Sequence, residues 1–157
     1  MIHVVRPPEL PTDLPRVVRE ALECLIAPFR PLLAAHGLTE QQWRVLRALG
    51  DGAASQVALA RACVMAPASL TGVLARMERD GLIVRRRSTE DQRRVVVSTT
   101  AAGRELVARL APEIEARYGE LTQLVGSTTL AALERAATAV RDATRGPGHA
   151  AVVACRR

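Results

Sequence analysis

The residues with the clearest chemical signature lie between positions 67 and 94. Five arginines, Arg85, Arg86, Arg87, Arg93 and Arg94, crowd a ten-residue segment that holds only two acids, Glu90 and Asp91, for a local charge of +3. A β-hairpin needs no such charge to fold. A hairpin laid along a duplex does, because a narrow minor groove attracts arginine. A solvated, charged hairpin is the plain alternative, and the preceding segment argues against it. Over residues 67–80, Leu70, Val73, Leu74 and Met77 recur at i, i+3, i+4 and i+7, the buried face of a helix. The other face carries Ala68, Gly72, Ala75, Arg76 and Arg79, with Met65 just before it and Ser69 and Thr71 on its flanks. Small side chains there permit close approach to a major groove, while hydroxyls and guanidinium groups can reach phosphates and base edges.

The elements that must position these groups follow from periodicity and punctuation. Residues 55–62 read as a short helix and 67–80 as a second one closed by Gly81, a helix-turn-helix pair. "LIVRRR" and "RRVVVS", separated by "STEDQ", read as a two-stranded hairpin over 82–98, a wing. Before the pair, Thr39 with Gln42 makes a capping box that opens a helix ending near Gly50. A first helix over 14–36 has a wide apolar stripe, including Val17, Val18, Leu22 and Leu25, and Pro28 and Pro31 should bend its last third. Helices over 101–125, with a bend at Pro112, and 127–145 follow; Leu130, Leu133, Ala137 and Val140 form a heptad-like seam. The fold class is mainly α, in the order α-α-α-α-ββ-α-α, preceded by a Pro-rich arm over 1–13. Residues 146–157 read as a flexible tail.

Composition agrees with a nucleic-acid partner. The 157 residues carry a formal net charge of +6, every one of the 22 basic residues is arginine, and neither lysine nor asparagine occurs. Biased genome composition explains most of the arginines, but the excess charge still calls for an acidic counter-surface. Aromatics make up only 2%, so the core is built of Ala, Leu and Val, which favours helices. The opening "MIHVVRPPELPTDLP" lacks the apolar run of a signal peptide, and no uncharged apolar stretch reaches membrane-spanning length. Cys24, Cys63 and Cys155 are widely spaced, and His3, His36 and His149 are dispersed, so no metal site is expected. A reduced, cytoplasmic setting is the simplest reading. No Gly-rich phosphate loop, GxSxG elbow, HExxH or carboxylate cluster is present, so neither catalysis nor a cofactor is expected.

"LTEQQWRVLRAL", "ASLTGVLARMERDGLIVRR" and "STEDQRRVVVSTTAAGREL" resemble the three signature stretches of the multiple-antibiotic-resistance regulator (MarR) family. The wing pattern Asp-x-Arg, then Val, then Leu-Thr is matched by Asp91, Arg93, Val97 and Thr100, with Thr99 in place of the leucine. The resemblance covers residues 14 to about 145. "FRPLLAAHGLTEQQWRVLRAL" with "LARMERDGLIVRRRSTEDQRR" is further similar to the subgroup that regulates homoprotocatechuate (4-hydroxyphenylacetate) degradation operons, with regulators of nicotinate breakdown close by. The resemblance implies one MarR-type domain over 1–157. Helices over 14–36 and 101–145 would form a homodimer, 39–98 would be the DNA-binding lobe, and a small aromatic acid would relieve repression of an operon. It implies that Asp91 positions Arg93 for the minor groove and that Arg76 contacts phosphate or anchors the wing. Pro67, Ala68, Ser69, Thr71, Gly72, Arg86, Arg87, Gln92 and Arg94 complete the expected contacts with double-stranded, pseudo-palindromic DNA.

For the effector, a planar acid needs a guanidinium fork and apolar walls. Arg16 and Arg19 could supply the fork, Phe29 and Trp43 the walls; solvated arginines and core aromatics are the plain alternative. The candidate acids are 4-hydroxyphenylacetate, homoprotocatechuate and 6-hydroxynicotinate. Three other functions compete: an architectural DNA binder without ligand, a thiol-based redox repressor using Cys24, and a protein adaptor on a winged scaffold. Cys24 is expected to be a buried, apolar cysteine.

Overall fold

The computed structural model describes residues 13–50, 52–87 and 95–145. Among them are seven helices and three strands. The chain divides into two compact units, the first ending at Glu115 and the second beginning at Ala116.

The first unit opens with α1 (Leu14–Ile26), whose N-cap Asp13 accepts from the Arg16 amide, and α2 (Phe29–Ala35). The single bent helix expected over 14–36 is thus two helices. Pro28 has no N–H to continue the ladder, and it caps α2 instead; Pro31 falls in the first turn of α2, where a missing donor costs nothing. Helix α3 (Glu40–Leu49) starts on the expected capping box, with Thr39 Oγ1 accepting from the Gln42 amide and the Gln42 side chain accepting from the Thr39 amide. Ser55 caps α4 (Gln56–Ala62), and α5 (Pro67–Arg79) follows.

Between α3 and α4 lies a strand that the sequence reading missed, β1 (Ala53–Ser55). It pairs antiparallel with β3 (Val95–Thr99), whose other edge pairs with β2 (Ile83–Arg87), so the sheet order is β1-β3-β2. Ala-Ala-Ser has no β-branched or aromatic side chain, so nothing local marked it as strand; the open edge of β3 does. In the register, Ile83 faces Thr99 and Ala54 faces Val97.

The core of the unit is aliphatic. Leu33, Val45, Leu46, Leu59, Leu70, Leu74, Met77, Ile83, Val97 and Leu110 are buried, and Leu106 and Ile114 of α6 (Ala101–Val125) join them. Helix α6 continues through Pro112. Gly103 sits where α6 crosses the start of the wing: a Cβ there would lie 2.3 Å from the Leu82 carbonyl oxygen and 2.7 Å from Thr99 Cγ2. In the second unit, α7 (Ser127–Arg145) has no buried residue over 127–144, and Leu133 and Val140 of the expected seam are exposed. Helix α1 in the first unit has no buried residue either, although Leu14, Val18 and Leu22 share one side of it; each is about half exposed.

Candidate nucleic-acid interface

Helix α5 presents its faces as the periodicity requires. Leu70, Leu74 and Met77 are buried, with Val73 half-buried. Pro67, Ala68, Ser69, Thr71, Gly72, Ala75, Arg76 and Arg79 are exposed. Pro67 occupies the first turn, where its fixed φ favours the helix. The Thr71 hydroxyl donates to the Pro67 carbonyl at 3.0 Å, so its proton is used within the helix. Arg76 and Arg79 make no ion pair or hydrogen bond with another described side chain. The turn between α4 and α5 is unusual: Val64 has φ +51° and is 74% exposed, a left-handed conformation that is costly for a β-branched residue.

Arg86 and Arg87 of β2 are exposed. Arg85 is not part of that free charge. Glu78, at the end of α5, accepts from the Arg85 backbone amide at 3.1 Å and from Arg85 Nε at 2.8 Å, with Arg85 Nη2 completing a forked pair. The +3 counted from sequence therefore overstates the charge offered to solvent by one unit. What Arg85 supplies instead is a latch that fixes β2 to α5. No local pattern announces the pair, because it spans a turn between a helix and a strand. Asp91, Gln92, Arg93 and Arg94, with the expected Asp91–Arg93 pair, lie outside the described residues.

Arg85 beside it holds the Glu78 carboxyl below its ordinary value, chiefly through the side-chain hydrogen bond, against an opposing effect of burial. A depressed carboxylate stabilises the fold above its unfolded pKa, about 4.3 for glutamate, and that contribution disappears as pH falls through the lower folded value. Glu78→Gln should therefore weaken duplex binding at neutral pH, and the gap to wild type should close only in that acidic range. A binding-against-pH series checks this; identical curves for the two proteins would dissociate the latch from recognition.

Thr100 braces the same junction. Its hydroxyl donates to the Gly81 carbonyl at 2.6 Å and accepts from the Gly103 amide at 3.1 Å, while its amide donates to the Leu82 carbonyl. It joins the end of α5, the entry to the wing and the start of α6.

The four residues considered for an effector are spread over three helices. Arg16 already faces a carboxylate, Glu20, at 2.6 Å, and both side chains are well exposed. Arg19 is exposed on α1, Phe29 is buried at the start of α2, and Trp43 is half-buried on α3. Cys24 is exposed, contrary to the burial expected of it, because α1 as a whole packs away none of its residues. Cys63 is the buried thiol; burial pushes it up, with Arg44 pulling the other way. His36 caps α2 and bonds Glu113 Oε1 at 2.9 Å. Among the described residues, no cluster of His, Cys, Asp and Glu could hold a metal ion, and no single helix is long and apolar enough to cross a membrane.

Comparison with known proteins places this geometry. The MarR family pattern matches residues 36–94. The homoprotocatechuate degradative operon repressor of Escherichia coli is 41% identical over 104 residues, 65% of this chain and 70% of that one. The structure of NadR in complex with 4-hydroxyphenylacetate superposes with a TM-score of 0.74 at 30% identity, covering 87% of this chain and 98% of that one. Bordetella bronchiseptica BpsR, described for regulation of its DNA binding by 6-hydroxynicotinic acid, gives 0.75 at 26% identity over 87% and 99%. These relatives are regulators, not enzymes. With its winged helix-turn-helix and a relative this similar over more than two thirds of its length, the chain belongs to the MarR family of transcriptional regulators.

Proposed function

We propose that this regulator is a homodimeric repressor that binds a pseudo-palindromic operator of an aromatic-compound catabolic operon, on the bacterial nucleoid in the cytoplasm, and is released by a small aromatic carboxylate. The observation that carries the DNA-binding reading is the latched pair itself: an exposed α5 face and an exposed, arginine-bearing strand held in one rigid arrangement by Glu78 and Arg85. In this reading α5 enters the major groove, the wing reaches the adjacent minor groove through Arg93, and Arg76, Arg86, Arg87 and Arg94 neutralise phosphates. A second copy covers the apolar side of α1 and the seam of α7, setting two recognition helices about 34–36 Å apart. Similarity to a catabolic operon repressor and to regulators studied with hydroxylated aromatic acids supports the effector class.

Arg93→Ala should lower operator affinity and shallow the dependence of log K on log salt by about one unit, because one cation that displaces condensed counterions from the duplex is lost. Titration at several salt concentrations reads both; an unchanged slope and affinity would remove the wing from the interface.

The effector acts through differential affinity for a dimer whose recognition helices no longer match the operator spacing. Calorimetry with 4-hydroxyphenylacetate, homoprotocatechuate and 6-hydroxynicotinate, on wild type and on Arg16→Ala, tests it. Heat from at least one acid, and release of the operator by that acid, is the expected result. Silence from all three, with unchanged operator affinity, favours a ligand-independent architectural binder.

A further inference from the structure

Helix α5 offers the DNA an unusual surface. In helix-turn-helix proteins the first turns of the recognition helix meet the base edges. Here those turns expose Pro67, Ala68, Ser69, Thr71 and Gly72. Ser and Thr hydroxyls can bond several bases without selecting one; base-selective hydrogen bonds use Asn or Gln for adenine, Arg or Lys for guanine, and Glu or Asp for cytosine. None of these stands among the five, and the chain contains no asparagine or lysine at all. Thr71 has spent its hydroxyl proton on the Pro67 carbonyl, which leaves a methyl and a lone pair to face outward. Ser69 is the one remaining side-chain donor of the set. The first guanidinium, on Arg76, comes nine residues after Pro67, roughly 13.5 Å along the helix axis at the usual rise.

Gly72 is the second observation. A mid-helix glycine costs about 1 kcal/mol relative to alanine. Nothing among the described residues requires it: its φ is not in the left-handed region, and a Cβ built there would meet none of their atoms within 4 Å. Among the described residues the missing methyl leaves open space on the exposed side of the helix, room that a closely approaching groove would use.

We propose that the first two turns of α5 read thymine C5-methyl groups by close apolar contact, with Thr71 and Ala68 touching the methyls and Gly72 admitting the backbone to the groove. This rests on the DNA-binding reading above and assigns the major-groove specificity of that interface. Thymine is the only base whose major-groove edge carries a methyl, and small apolar side chains are its complement. Specificity at these positions is then a matter of contact and shape, with positive charge supplied from the wing and from the later turns of α5.

The probe is a duplex enriched by this protein from a random-sequence pool. Thymines are replaced one at a time, and in symmetry-related pairs, by deoxyuridine, which removes only the methyl, and affinity is read by fluorescence anisotropy. Each contacted methyl should be worth about fourfold in affinity, from about 0.8 kcal/mol per buried carbon, and the symmetric pair in both half-sites about sixteenfold. Thr71→Ser keeps the hydroxyl and removes the methyl, so it should shrink the deoxyuridine penalty at its own position while leaving the others. Gly72→Ala should raise the melting temperature yet weaken duplex binding, opposite signs that a merely structural glycine would not give. Deoxyuridine tolerated within twofold at every position, or Gly72→Ala binding as well as wild type, overturns the proposal with DNA binding intact. Failure to enrich any duplex overturns the DNA-binding reading beneath it, and the proposal with it.

Discussion

Leu22→Glu is expected to convert a dimer into a folded monomer and to lower operator affinity by a hundredfold or more. The substitution falls on α1, which buries none of its residues within the chain, and Leu22 is already 51% exposed. Because no residue of α1 is buried, a charge there enters no packed core, and the helical content of the monomer should survive. What it does disturb is the apolar side formed with Leu14 and Val18, which the proposed second copy covers. Desolvating a carboxylate in such a contact is costly. The loss of DNA affinity is larger than any one contact would give, because two half-sites are no longer linked. A tethered second binding event gains a factor of roughly 10² to 10⁴ from effective concentration alone. Light scattering at micromolar concentration and an operator titration measure the two effects together. A wild-type protein that scatters as a monomer, or a Leu22→Glu variant that stays dimeric, would remove α1 from the interface. Val140→Glu on α7, where Val140 is 63% exposed, is an independent test of the other helix.

The second large effect is on stability. Gly103→Ala should destabilise the protein by about 3 kcal/mol, the upper part of the usual range for overpacking. At 2.3 Å from a new Cβ, the Leu82 carbonyl oxygen belongs to the backbone and cannot rotate away, and Thr99 Cγ2 at 2.7 Å is a buried side chain. Relief requires moving α6 away from the entry to the wing, against the two hydrogen bonds by which Thr100 holds the Gly81 and Leu82 carbonyls. For a chain of this size that corresponds to a fall in melting temperature of roughly 10 °C. Thermal unfolding followed by circular dichroism measures it; a shift below about 2 °C would mean that the junction has slack.

The contrast between Gly103 and Thr39 shows which parts of the fold were legible in the sequence. Thr39, Gln42, the α5 periodicity and the bounds of α6 and α7 are local signals, and the structure carries all of them. Contacts between elements distant in sequence were not legible. Strand β1 exists because β3 offers it an edge, Gly103 is required by a carbonyl 21 positions away, and Arg85 is drawn from the wing charge by a carboxylate on the preceding helix. The break at Pro28 was half legible: proline announced an interruption, but only the structure distinguishes a bend from two helices. For the candidate interface, the exposed set on α5 was named from its spacing. Arg16 was named for an effector carboxylate, whereas the structure pairs it with Glu20, an exposed neighbour one turn away.

The positive charge carried by α5 and β2 is all guanidinium, in a chain without lysine. A guanidinium keeps its proton throughout the physiological range, and acyl transfer to a lysine amine, the common way of erasing positive charge on a protein surface, has no side-chain substrate here. The positive charge of this surface is therefore insensitive to changes of pH within the physiological range and to acyl-donor supply. Rearrangement of the elements that bear the arginines and a change in ionic strength are the means left to turn down a charge that neither deprotonation nor lysine acylation can remove.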